Sequence, residues 1–226
     1  MYSIWAENMI TKKNIPAISS FDKDAEMAEF LGALSGDGFI GNYGERKQQF
    51  MIQLTGHIDE KEYLKFLEKI ISRRFRNLNF GYRKKNKTLR LTIYSREFFL
   101  FLKDNFGFPV GKKGDNLTIP LKFKKEDKLI RPFIRGLFDT DGCLFLDKRK
   151  AYKKPYPRLQ LEITSQKLFK EVADYLSRYF RVHTKKRIRY NKYVIYLLEL
   201  YGYEQLNKWL EMIGFSNKKH LDKVPL

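Results

Sequence analysis

Three stretches of this chain alternate apolar and polar side chains, the period of a strand with one dry and one polar face. Gln49-Phe-Met-Ile-Gln-Leu-Thr55 sets Phe50, Ile52 and Leu54 against Gln49, Gln53 and Thr55. Thr88-Leu-Arg-Leu-Thr-Ile-Tyr94 sets Leu89, Leu91 and Ile93 against Arg90 and Thr92. Arg158-Leu-Gln-Leu-Glu-Ile-Thr164 places Arg158, Gln160, Glu162 and Thr164 on one face. Elsewhere the apolar spacing is that of helices. One is expected from about Asp22 or Asp24 to Asp37-Gly38, carrying Phe30, Leu31 and Leu34. Asp59 and Glu62 read as a capping box for a helix running to about Phe75. Ser95 opens another to about Phe106, Ser165 one to about Phe180, and Glu204 to Ile213 forms the last. Further strands are expected at Val182 to Tyr190 and Tyr193 to Leu200.

A nine-residue pattern occurs twice, as Phe30-Leu-Gly-Ala-Leu-Ser-Gly-Asp37-Gly38 and Ile134-Arg-Gly-Leu-Phe-Asp-Thr-Asp141-Gly142. Gly32 and Gly136, Asp37 and Asp141, and Gly38 and Gly142 are offset by the same 104 residues. Ser72-Arg-Arg-Phe75 and Ser177-Arg-Tyr-Phe180 match again at the ends of equivalent helices, so one unit is used twice. In each copy an apolar helix ends on Asp-Gly, where the glycine lets the chain turn away. Two such helices packed through their glycines would bring Asp37 and Asp141 together. Paired carboxylates repel until neutralised, and a divalent cation is the usual answer.

The two copies resemble the motif of the LAGLIDADG homing endonucleases, departing from it mainly at Ser35, Gly36 and Arg135. The resemblance implies an α+β fold of two pseudo-symmetric αββαββα halves, with the motif helices at the central interface and antiparallel sheets forming a DNA-binding saddle. It implies that Asp37 and Asp141, with the preceding Gly36 and Thr140, hold divalent metal, Mg²⁺ or Mn²⁺, and that the protein cuts duplex DNA at a long pseudo-palindromic site. Polar or basic residues around the metals would be His57, Gln166 (or its neighbour Lys167) and Arg96, each just past a strand. His57 also reads as a helix-start residue and Arg96 as a surface cation. Asp139 is not counted as a ligand. An RNA-splicing maturase and a non-cleaving DNA-binding protein of the same fold are the alternatives.

Composition narrows the partner. The 226 residues include 45 Lys and Arg against 26 Asp and Glu, a net charge of +19, and 43% are hydrophobic. Such a chain has material for a core and needs an anionic partner. Nucleic acid fits better than a membrane, because no apolar run approaches the roughly 18 residues of a spanning helix. The N-terminus lacks the basic-then-apolar order of a signal peptide. A single cysteine, Cys143, excludes a disulfide framework and reads as a buried, inert thiol. The expected setting is intracellular, in the cytoplasm or nucleoid of a prokaryote or in an organelle matrix. The expected division is an arm at 1–20, a first half at 21–106, a linker at 107–125 rich in Pro, Gly and Lys, and a second half at 126–226, with both halves in one monomer.

Basic residues cluster at four expected β-turns: Arg46 and Lys47; Arg83, Lys84, Lys85 and Lys87; Lys148, Arg149, Lys150, Lys153 and Lys154; and Lys185 through Lys192. Neutralising phosphates there would release condensed counterions. The polar strand faces add base-reading chemistry through Gln49, Gln53, Arg90, Arg158, Gln160 and Glu162, with Lys185, Arg187 and Arg189 sharing a face of a later strand. Arg suits guanine, Gln suits adenine and a carboxylate accepts from cytosine.

Overall fold

A computed structural model of the protein describes residues 24–43, 49–76, 78–149, 154–189 and 194–225. The expected arm at 1–20 lies outside the described residues, as do Arg46, Lys47, Lys150, Lys153 and residues 190–192 of the expected basic turns. Seven elements form the first half: α1 (Ala25–Asp37), β1 (Gly38–Tyr43), β2 (Gln49–His57), α2 (Lys61–Ser72), β3 (Asn79–Lys85), β4 (Thr88–Tyr94) and α3 (Arg96–Phe106). The second half repeats them as α4 (Asp127–Asp141), β5 (Gly142–Asp147), β6 (Tyr156–Ile163), α5 (Gln166–Ser177), β7 (His183–Ile188), β8 (Val194–Tyr201) and α6 (Tyr203–Met212). A short α7 (Lys218–Leu221) follows. The sheets are antiparallel, in the matching orders β1-β2-β4-β3 and β5-β6-β8-β7. The fold is therefore α+β with two αββαββα halves.

The motif helices α1 and α4 pack on each other through backbone, and the contact is reciprocal. A β-carbon at Gly32 would collide with the carbonyl of Phe133, and one at Gly136 with the carbonyl of Glu29. These are equivalent positions, because Glu29 and Phe133 share the 104-residue offset of the glycines. Only glycine allows backbones this close. The departure from the motif at Arg135 also has a cause here: its guanidinium crosses to the buried Glu29, with Nε 3.0 Å from Oε2, and donates to the carbonyl of Ile213. Removing Arg135 from this pair would strand the buried charge of Glu29.

Alternation sorts the sheet side chains as expected in β6, where every second residue from Pro157 to Ile163 is buried. In β4 the polar face is less regular, since Thr92 is buried and accepts from Gln53 Nε2 at 3.4 Å. Cys143 corrects its expectation: β5 turns Leu144 into the core, which leaves the thiol exposed on the opposite face beside Gln160. The capping box also moves. His57 and Glu60 form it, around a 3-10 turn at Ile58–Glu60, while Glu62 pairs with Lys65. Arg83, Lys84 and Lys85 lie in β3, and the turn itself falls at Asn86, whose φ is +53°.

The stretch between the halves is not a loose spacer. Phe108, Leu117, Ile119 and Phe123 are buried, and a chain of ring contacts runs from Phe101 through Phe106 and Phe123 to Phe133. Glu171 accepts from the Ile119 N–H, and Ser165 donates to the carbonyl of Leu117. The C-terminal segment is seated as firmly, with Phe215 and His220 both against Phe138. Burial pushes the His220 imidazole down to about 3, so it is a neutral core ring. No helix among the described residues is long and apolar enough to cross a membrane.

Candidate active site at the paired helix ends

Both motif helices end in the same way. Gly38 and Gly142 return their N–H groups to the carbonyls of Leu34 and Phe138, and both adopt extended backbone, with φ of −93° and −90°. Neither is left-handed, so glycine is needed here for another reason than the expected turn. A side chain at either position would strike those same carbonyls. The chain thus passes straight from helix to the first strand of each sheet and leaves Asp37 and Asp141 at the top of the interface.

The two carboxylates feel each other. Burial, then the charge of Asp37, pushes the Asp141 carboxyl up to about 7. Asp37 keeps an open edge to solvent, yet the protein around it raises its carboxyl too, with Lys219 and Lys113 pulling it back. Gly36 and Thr140 abut across the interface, where the Thr140 hydroxyl is turned back onto the carbonyls of Gly136 and Leu137.

Two lysines that the sequence patterns did not single out stand over these ends. Lys113, from the stretch between the halves, donates to the last carbonyls of α1, at 2.8 Å for Ser35 and in closer contact with Gly36. Lys219, from the C-terminal segment, donates to the carbonyl of Thr140 at 3.1 Å and pairs with Glu60 Oε1 at 2.8 Å. Ammonium groups at helix C-termini also offset the negative end of each helix dipole. Burial lowers the Lys113 ammonium from its ordinary range, against the pull of Asp141 and Asp37. Burial pushes the Glu60 carboxyl up, but bonds from Lys219 and the His57 N–H outweigh it and leave the group below its usual range. A cavity of about 50 Å³ is lined by Gly36, Lys113, Asp141, Thr164 and Ser165, among others.

The other expected site residues are placed less centrally. Gly38 pairs with Leu54, and Gly142 with Leu161, so His57 corresponds to Thr164, and Gln166 lies two residues beyond that counterpart. His57 Nδ1 accepts from the Asp59 N–H at 3.4 Å, and the ring is half exposed. Gln166 opens α5, its N–H held by Asp115, and Lys167 is exposed beside it. Arg96 follows Tyr94, which pairs with Met51 and so lies at the far end of the sheet from Asp37; its guanidinium sits 5.8 Å from the Phe50 ring. The structure does not bring Arg96 to the helix ends. Asp139 is fully buried and accepts from the N–H groups of Ser216 and Asn217, at 2.7 and 3.1 Å.

No group of three or more His, Cys, Asp or Glu side chains gathers among the described residues. A soft-metal cage is therefore not built among the described residues, whereas Mg²⁺ is commonly held by one or two carboxylates with water and substrate phosphate completing the shell. Asp37 and Asp141 fit that kind of ion, while the carbonyls of Gly36 and Thr140 beside them accept from Lys113 and Lys219.

The expected DNA-facing residues that lie within strands share one face of each sheet. In the first, register groups Gln49, Gln53, Arg83, Lys85 and Arg90, with Arg83 directly opposite Arg90. In the second, Arg158, Gln160 and Glu162 lie with Lys185 and Arg187 on the corresponding face. Their ion pairs are many: Arg158 and Arg149 on Asp147 at 3.0 and 2.7 Å, Lys185 on Glu199 at 2.8 Å, and Arg189 on Glu162 at 2.9 Å. Gln160 donates to Glu199, and Lys148 is exposed beyond β5.

Comparison with known proteins agrees with this geometry. Residues 128–214 match the LAGLIDADG-like domain. The fold superposes with a TM-score of 0.61 on an I-DmoI variant bound to its target DNA with manganese, at 15% identity over 85% of this chain and 95% of that one. Other structures of I-DmoI with DNA contain calcium or manganese. In sequence, the chain is 30% identical over 207 residues to the replication factor C small subunit of Methanocaldococcus jannaschii, covering 90% of this chain and 10% of that protein. It is 26% identical over 216 residues to the tRNA-splicing ligase RtcB of Pyrococcus abyssi, covering 84% and 22%. The chain thus spans about a tenth to a fifth of the length of these relatives.

Proposed function

Because this chain has the LAGLIDADG fold and a LAGLIDADG-like domain in its second half, we propose that it is a site-specific, metal-dependent endonuclease of double-stranded DNA. The observation that carries the reading is the convergence of Asp37 and Asp141 at the ends of two glycine-packed helices, with strongly basic sheets on either side. A non-cleaving binder has no need to crowd two carboxylates where a phosphate must approach. The sequence relatives add support of a different kind. A module shared by proteins named for replication and for tRNA ligation fits an element that enters unrelated genes, which a site-specific cutter would promote.

The duplex would lie along both polar sheet faces, its central phosphates over the helix ends. Arg83, Lys85, Arg90, Lys148 and Arg149 would neutralise phosphates, while Gln49, Gln53, Arg158, Gln160, Glu162, Lys185, Arg187 and Arg189 reach base edges in the major groove. Asp37 and Asp141 would hold Mg²⁺ or Mn²⁺. Divalent metal held there would supply Lewis acidity to the phosphate and would lower the pKa of an attacking water. Lys113 and Lys219 offset the charge that builds at the scissile phosphates, and His57 stands at the rim. The halves are similar but not identical, so one monomer would read two unequal half-sites.

The test is incubation with a randomised duplex library in Mg²⁺, followed by mapping of the cut ends. Double-strand cutting at a defined long site, abolished by EDTA while duplex binding persists, is expected. Uncut duplex, or preference for structured RNA over duplex, would overturn the reading in favour of a DNA-binding protein or a maturase.

A further inference from the structure

The two lysines over the helix ends come from outside the duplicated unit, and they are held in different ways. Lys113 rides on a segment fixed on either side of it, by Gly111 N–H on the carbonyl of Ile40 and by the Asp115 carboxylate, which accepts from Gln166 N–H. Lys219 has a side-chain clasp. Asn217, just 1% exposed, uses every polar group it has. Its N–H donates to Asp139 Oδ2 at 3.1 Å, and Nδ2 donates to the Asp139 carbonyl at 3.0 Å and to Glu60 Oε1 at 2.7 Å. Its Oδ1 accepts from the N–H of Lys219 itself. Glu60 belongs to the first half and Asp139 to the second motif helix, so this one amide ties the C-terminal segment to both.

A lysine stem loses rotamer entropy when it is fixed. The single carbonyl bond to Thr140 offsets only part of that loss. The ion pair with Glu60 supplies the rest, provided Glu60 is itself held, and its remaining donors are Asn217 Nδ2 and the His57 N–H. We propose that Asn217 is a positioning residue that locks Glu60 and the C-terminal segment together so that the Lys219 ammonium stays over the end of the second motif helix. The catalytic role of Lys219 rests on the function proposed above; its placement by Asn217 does not.

Asn217 also caps α7, so the test must separate capping from clasping. Asn217→Ser keeps an oxygen for the cap but cannot reach Glu60. Glu60→Ala removes the clasp's partner in the first half and serves where the first variant folds poorly. The first readout is amine acylation of the full chain without DNA or metal, scored by mass spectrometry with exposed Lys103 as reference. Both variants should make Lys219 several-fold more reactive and leave Lys113 unchanged; unchanged Lys219 reactivity in both would overturn the proposal. The second is single-turnover cleavage of a duplex selected by the wild-type protein. Asn217→Ser should cut about 100-fold more slowly at unchanged duplex affinity, the order of loss for a group misplaced by about 1 Å. Added to Lys219→Gln it should cost nothing further. Multiplying losses would show that Asn217 acts by another route. If the wild type selects no duplex, the functional reading fails, and the acylation result still decides the positioning.

Discussion

In the first sheet Arg83 and Arg90 face each other across neighbouring strands, with no ion pair to either among the described residues. In the second sheet Arg158, Lys185 and Arg189 each rest on a carboxylate, of Asp147, Glu199 and Glu162. The helix ends show no such divergence, because each has an aspartate, a small neighbour and a lysine on its last carbonyls. The two halves have therefore kept a common interface and separated in the surfaces they would offer to DNA. Unpaired guanidinium groups opposite each other repel, and a phosphate between them relieves the strain. Paired ones must exchange a carboxylate for a phosphate, so they contribute less to affinity. In return they are held in place, and a held Arg or Glu reads a base edge better than a free one.

The largest effect on stability concerns the shared interface. Gly32→Ala and Gly136→Ala should each cost about 2 kcal/mol, from about 3 kcal/mol of overpacking less about 1 kcal/mol of improved helix propensity. Because the contacts are reciprocal, denaturant melts should return similar losses for both. A large inequality would break the symmetry claimed for the helix pair. On the sheets, Arg83→Ala and Arg90→Ala should each lower the salt slope of binding to a generic duplex by about 1. Arg158→Ala and Arg189→Ala should lower it by less than half as much. Equal slopes from the two sheets would remove the distinction. The smallest effect is the most pointed. Asp147→Asn takes one carboxylate away from Arg149 and Arg158, and generic duplex binding at low salt should tighten by about threefold. Unchanged or weaker binding would show that Asp147 does not restrain them.

How far the sequence reveals this depends on the residue. Thr88 to Tyr94 is a strand in the structure as its alternation requires, and both motif helices end where Asp-Gly places them. Strand β3 escapes pattern reading because it is an edge strand, exposed along most of its length, and its charges look like a turn. Gly38 and Gly142 are legible as necessary residues but not for the right reason, since tightness against a carbonyl leaves no local signature. Lys113 and Lys219 are illegible: one sits in a lysine-rich connecting stretch, the other in Lys218-Lys219-His220, and neither shares a repeat offset with anything. Their role comes from long-range packing that brings residue 113 to residue 36 and residue 219 to residue 140. Position past a strand end pairs His57 with Gln166, whereas the ladder register sets them two residues apart.

The most direct test of the account is strand-resolved cleavage by Asp37→Asn and Asp141→Asn, with duplex binding measured on the same preparations. Asn preserves shape and a neutral hydrogen-bonding group but removes the charge that would hold the metal. Each variant should lose double-strand cutting by about a thousandfold or more, the several kcal/mol that a positioned metal contributes, and retain folding and binding. Normal double-strand cutting by either variant would show that the carboxylates only finish the helices and that the chemistry lies elsewhere.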